Sequence, residues 1–184
     1  MATTEAVGLP RGRELTRADL DAMPDDGHRY ELIDGVLIVT PAPRLGHQNA
    51  AYRIARRLDD ACPPELIMVL APFDVVLASN TIMQPDVLVA RRDAFTDREL
   101  ASAPLLAVEV LSPSTRRIDL MLKKERLERA GCAHYWVVDP DVPSIMAWAL
   151  VDGAYREVAQ ASGDEAFEVA EPFAISFAPS QLLD

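Results

Sequence analysis

The sequence predicts an α/β fold, and three stretches carry that prediction. Residues 104–140, PLLAVEVLSPSTRRIDLMLKKERLERAGCAHYWVVDP, read as strand, helix, strand. A crossover helix of that length joins strands lying parallel in one sheet. Asp34-Gly35 and Asp152-Gly153 each sit between apolar runs and signal added β-hairpins. Residues 47–61 place Ala51, Ile54, Ala55 and Leu58 on one face of an amphipathic helix.

The elements follow in order. Residues 1–13 read as a loose leader, and Thr16 caps a short helix with Asp19 three residues on. Pro24-Asp25-Asp26-Gly27 ends that helix, and YELI and VLIVT flank the first Asp-Gly turn. Pro41 and Pro43 make a rigid exit into the amphipathic helix, which Cys62-Pro63-Pro64 closes. Residues 66–70 and 73–77 read as strands around an Ala71-Pro72 bend, and Ser79-Asn80 supplies a turn. MQPDVLVA reads as a strand opening on Pro85-Asp86, and residues 91–103 as a loop with a short helix. In the crossover unit the SPST hydroxyls cap a helix over residues 116–130, and Gly131 ends it. SIMAWAL and AYREVAQ form the second hairpin, and FEVAEPFAISF reads as one last strand. Neither repeats nor low-complexity tracts interrupt the pattern, so residues 1–184 are expected to form a single domain.

Composition narrows the function classes. Hydrophobic content of 49% with 26% charged residues suits a globular chain with a real core. There is neither a membrane-spanning run nor a signal-peptide pattern, so the expected location is cytoplasmic. Cys62 and Cys132 have neither metal-ligand nor disulfide spacing. The net charge of −11 gives no general attraction to nucleic acid. The bases are unevenly spread, however. Arg44, Arg53, Arg56 and Arg57 form one cluster, and Arg116, Arg117, Lys123, Lys124, Arg126 and Arg129 another. A locally basic face on an acidic body is one reading, and solvated mixed-sign surface is the other.

Three residues suggest chemistry. Glu109 interrupts an apolar strand, sharing a face with Leu105, Ala107 and Leu111. A carboxylate there needs a partner, a proton or a cation, unless it reaches solvent at the strand end. Asp86 opens the preceding apolar strand, so in neighbouring strands both acids project from one sheet edge. Two converging carboxylates repel unless a proton or cation lies between them, and an oxygen-only ligand set suits Mg²⁺ or Mn²⁺. Lys123 falls on the helix face of Leu120, Leu127 and Ala130. It points its ammonium at the acids, snorkels to solvent, or pairs with Asp119 four residues before it.

In this order, the chain resembles the PD-(D/E)XK nuclease superfamily and, more closely, the Uma-two family of restriction-endonuclease-like proteins of unknown function. The resemblance rests on YELIDG (30–35), His47, QPD (84–86), VEVLSPST (108–115), DLMLK (119–123) and AGCAHYWVVDP (130–140). It implies a restriction-endonuclease-like core, a mixed sheet flanked by helices, and Mg²⁺- or Mn²⁺-dependent hydrolysis of phosphodiesters in nucleic acid, DNA first. It implies that Asp86, Glu109 and the Val110 carbonyl hold the metal, while Lys123 orients or activates water and stabilises phosphate charge. Glu31 would complete the metal shell or stand as an exposed hairpin acid. His47 would contact phosphate or cap its helix. Two positions depart from the family pattern: Leu111 holds the superfamily's usual lysine position, and Leu127 stands where relatives often have tyrosine.

A second reading is a nuclease-fold interaction module with little catalysis, a homodimer joined through apolar edges such as the SIMAWAL hairpin. Convergent acids favour the enzyme, and the net charge favours the module. A serine or cysteine hydrolase lacks support, because Ser112 and Ser114 are explained as helix caps and no nucleophile elbow is present.

Overall fold

The computed structural model describes residues 12–183, so the expected leader lies outside it except for residues 12 and 13. The chain enters through the short helix α1 (Arg17–Asp21), where the Thr16 N–H donates to Asp19 Oδ2 at 2.8 Å. The first hairpin pairs β1 (Arg29–Ile33) with β2 (Val36–Thr40), in register from Arg29 opposite Thr40 to Ile33 opposite Val36. Asp34 and Gly35 both take positive φ, 52° and 73°, as a two-residue hairpin turn with right-handed strand twist requires.

Helix α2 (Leu45–Ala61) follows, then β3 (Leu66–Leu70), β4 (Asp74–Ala78), β5 (Thr81–Met83), β6 (Val87–Arg91) and the short β7 (Glu99–Leu100). The crossover unit is β8 (Leu106–Val110), a π-helical turn (Ile118–Lys123), α3 (Lys124–Ala130) and β9 (His134–Asp139). Gly131 ends α3 at φ 85°, the left-handed cap expected of it. The second hairpin joins β10 (Ser144–Val151) to β11 (Ala154–Ser162), and β12 (Phe167–Val169) pairs with β13 (Ile175–Phe177).

Two larger sheets result. One runs β11-β10-β9-β8-β6-β3, mixed because β8 and β9 are parallel and the other neighbours antiparallel. The other runs β2-β1-β5-β4-β7. The fold is therefore the mixed, helix-flanked one expected, with four local differences, the first being that the loop expected over residues 91–103 also carries β7, paired with β4. The MQPDVLVA stretch is two strands, because Gln84-Pro85-Asp86 carries the chain from β5 in one sheet to β6 in the other. The terminal FEVAEPFAISF segment folds back on itself, with Pro172 between two short strands. SIMAWAL lies inside the sheet between β9 and β11, so the edge on that side is the more polar β11.

Alternation along β8 divides the core. Leu106, Val108 and Val110 pack with Val87, Val89 and Trp136 against Ala50, Ile54, Ala55 and Leu58 of α2. Ala107 and Leu111 point the other way, onto Ile33, Met83, Leu127 and Tyr135. Ile54 and Leu58 are fully buried, each worth roughly 1.5–3 kcal/mol. Glu109 therefore faces the π-turn and α3. Among the described residues no helix is long and apolar enough to cross a membrane.

Candidate active site

Antiparallel pairing sets Val87 opposite Val108, so the next pair along brings Asp86 and Glu109 across from each other where the two sheets meet. Asp86 and Glu109 are 4% and 1% exposed, and the strand-end alternative for Glu109, a carboxylate reaching solvent, is excluded. Glu31, from β1 of the other sheet, is equally buried, so it is not an exposed hairpin acid.

Lys123 joins the sheets. Its Nζ lies 3.0 Å from Glu31 Oε1, 3.1 Å from Glu109 Oε1 and 3.7 Å from Asp119 Oδ1. The side chain is 2% exposed, so it does not snorkel to solvent. The pairing with Asp119 and the approach to the acids, set as alternatives by the sequence, occur together. The π-helical turn carries both Asp119 and Lys123, and Tyr135 anchors it by donating its hydroxyl to the Asp119 carbonyl at 2.7 Å. Such turns widen a helix locally and recur at functional sites.

Asp86 is held separately. Arg29 Nη1 lies 2.8 Å from Oδ1, while Oδ2 accepts the Val110 N–H at 2.9 Å and lies 3.1 Å from His47 Nε2. His47 stands in the first turn of α2, its side chain turned onto Asp86. The Gln84 N–H donates to Glu31 Oε1 at 2.7 Å, tying the inter-sheet segment to β1. Ser112 caps as expected, its Oγ accepting the Thr115 N–H at 3.3 Å.

These contacts divide the acids electrostatically. Burial pushes Asp86 up, but His47, Arg29 and Lys123 outweigh it and hold the carboxyl below its usual range. Burial dominates at Glu109, which stays well above its ordinary value although Lys123 pulls it down, with Asp86, Asp119 and Glu31 adding to the rise. Burial raises Asp119 too. Burial disfavours the Lys123 ammonium, but Glu109, Glu31 and Asp119 reverse this and raise its pKa.

Four carboxylates therefore face two fixed cations, Arg29 and Lys123. Fully ionised, the group would carry two uncompensated negative charges. Among the described residues Glu31 Oε2 is buried without a partner. Among the described residues no three acidic, histidine or cysteine side chains close into an ion cage, since the ammonium stands where three of the acids converge. The oxygen donors, the surplus charge and the orphaned Glu31 oxygen fit a divalent cation in an open site completed by water or substrate.

Asp86 and His47 border a cleft of about 1010 Å³ whose walls include Arg29, Tyr30, Arg44, Tyr52 and the Leu111–Thr115 segment. Three residues of the cluster were not singled out as site residues from the sequence. Arg29 stands two before Glu31 on one strand face, Asp119 stands four before Lys123, and Gln84 acts through its backbone. The i,i+2 and i,i+4 spacings were the available signals for the first two.

Residues 17–181 match the protein-family model described as "Uma2: Putative restriction endonuclease". Among solved structures, the chain is similar to a "putative nuclease belonging to DUF820 from Anabaena variabilis ATCC 29413", with a TM-score of 0.73 and 18% identity. That match covers 92% of this chain and 97% of the other. No curated protein matches the chain.

Proposed function

Since the chain belongs to the Uma2 family of restriction-endonuclease-like proteins, we propose that it is a metal-dependent nuclease hydrolysing phosphodiester bonds in nucleic acid, DNA foremost. The observation that carries this reading is the buried Lys123 ammonium, 3.0 Å from Glu31 and 3.1 Å from Glu109, behind an Asp86 held ionised. A packing role alone would not require four acids and a lysine inside the protein, because buried ion clusters are costly to desolvate.

Asp86, Glu109 and the Val110 carbonyl would hold Mg²⁺ or Mn²⁺, with Glu31 completing the shell directly or through water. The cation would lower the pKa of bound water and neutralise charge on the scissile phosphate. Arg29, His47 and the Val110 N–H keep Asp86 oriented and anionic. With its pKa raised, Lys123 stays protonated at neutral pH. It is therefore a donor that orients water and stabilises phosphate charge, not the base that deprotonates the water. Attack joins the water oxygen to phosphorus, breaks the bridging P–O bond, and passes a proton to the leaving oxygen.

The test is nicking of supercoiled plasmid and cleavage of end-labelled strands with Mg²⁺ or Mn²⁺, against EDTA and Asp86→Asn. Metal-dependent cleavage that the variant loses supports the proposal. Equal cleavage by wild type and variant, or none on any substrate, opposes it. The non-catalytic alternative, a homodimeric module, is favoured by one observation: β11 leaves a free sheet edge exposing Val158.

A further inference from the structure

The two arginine-rich clusters of the sequence have different fates in the fold. In the second, Arg116 pairs with Asp139, Arg126 with Asp34 and Arg129 with Glu125. Lys123 is buried among the acids, and Lys124 lies 4.2 Å from the Trp148 ring centroid. Of that cluster only Arg117 has no such contact among the described residues. In the first cluster none of Arg44, Arg53, Arg56 and Arg57 is paired with a carboxylate among the described residues, although the protein carries a net charge of −11. Arg57 instead bonds Gln181 and lies over Phe177.

These four arginines lie along α2 and its N-terminal boundary, whose first turn delivers His47 to Asp86. Arg44, Gln48 and Tyr52 wall the cleft beside Asp86. Tyr52, 59% exposed, also borders a second groove, lined by Asn49, Arg53, Arg56, Arg57 and Gln181, with one acid, Asp60, at its end. One residue thus joins the acid cleft to the arginine groove. From Arg44 to Arg57 the helix rises roughly 20 Å, enough to meet several successive phosphates. Asp59 and Asp60 then close the patch at the C-terminal end of α2.

We infer that the outer face of α2 is the track on which the nucleic-acid backbone is held as it leaves the cleft, with Arg53 and Arg56 contacting phosphates. The inference rests on the nuclease reading for its substrate class. It offers an acidic protein a way to engage a polyanion: Arg53, Arg56 and Arg57, with Arg44 just before them, set four arginines without a carboxylate partner among the described residues along one helix. The acids at the reaction centre are kept apart from it by burial.

The test is fluorescence anisotropy with labelled 20-nucleotide single-stranded and duplex DNA, in Ca²⁺, from 50 to 200 mM salt. It compares wild type, R53E/R56E and the control R98E/R156E, which makes the same charge change outside both grooves. The track predicts that R53E/R56E binds at least about tenfold more weakly, and that the slope of log K against log salt shrinks by about 1.4 or more. The control should stay within about twofold of wild type, and circular dichroism should be the same for all three. Equal losses in both variants, unchanged binding in R53E/R56E, or no wild-type binding to either probe would overturn the inference. Cleavage is not read, so loss of binding supports the track even if no bond is cut. Binding unchanged in R53E/R56E removes the track and leaves the nuclease reading to its own cleavage test.

Discussion

Lys123 and Glu31 stand 92 residues apart in sequence and on different layers of the fold, yet their charged atoms lie 3.0 Å apart, shut off from solvent. That contact joins the π-helical turn behind one sheet to the first strand of the other, and places the cluster where the sheets meet.

Removing the ammonium should therefore cost stability as well as activity. Lys123→Met leaves Glu31, Glu109 and Asp119 facing one another without the charge that separates them. We expect a loss of about 3–5 kcal/mol at pH 8 by urea denaturation, and a smaller one at pH 5, where the acids hold protons more readily. A loss that does not vary with pH would mean that packing, not charge, is the role of Lys123.

Glu109 sets a pH dependence whose sign is fixed. Its folded pKa lies well above the ordinary 4.5, so its contribution to stability is complete below the unfolded value and disappears as pH rises through the folded one. Stability of the metal-free protein should fall over that window by up to about 1.4 kcal/mol per pH unit for this proton. Glu109→Gln should remove that component. Mn²⁺ affinity should rise over the same window, because the carboxyl must lose its proton to bind a cation. Urea denaturation of the metal-free protein at several pH values reads the first trend, and isothermal titration of Mn²⁺ over the same pH values reads the second.

His47 acts on Asp86 from one side and Arg29 from the other. Because neither is needed as a ligand, His47→Ala should lower Mn²⁺ affinity by about 10–100-fold while leaving the far-ultraviolet spectrum unchanged. Affinity equal to wild type would confine His47 to packing or to direct phosphate contact.

The hairpin that carries Glu31 depends on Gly35. A Cβ there would fall 2.5 Å from Glu14 Cβ, at a φ of 73° that side chains rarely adopt. Gly35→Ala should destabilise the protein by more than about 1 kcal/mol, read from the shift of its denaturation midpoint. An unshifted midpoint would mean that the turn rearranges at little cost.

Much of this architecture was legible in the sequence because local rules and global packing agree. Two Asp-Gly pairs specified the hairpins, the α2 periodicity specified its buried face, and Gly131 marked the end of α3. The placing of Asp86 across from Glu109 followed from strand order, and the contact of Lys123 with Glu109 from a lysine on an apolar helix face. What stayed hidden depends on tertiary placement. The switch of sheets at Gln84-Pro85-Asp86 leaves no periodic signature, so β5 and β6 read as one strand. The π-helical turn has hydrogen bonds one residue longer than an α-helix, a difference that side-chain pattern does not record. Arg29 meets Asp86, 57 residues on, at 2.8 Å only through the fold, and nothing local to residue 29 marks that partner.

Whether these acids hold a divalent cation is tested, without any choice of substrate, by calorimetric titration of Mn²⁺ into the wild type and Asp86→Asn. Saturable binding should occur in the wild type and disappear in the variant. No binding in the wild type, or equal binding in both proteins, would contradict a cation held by these acids.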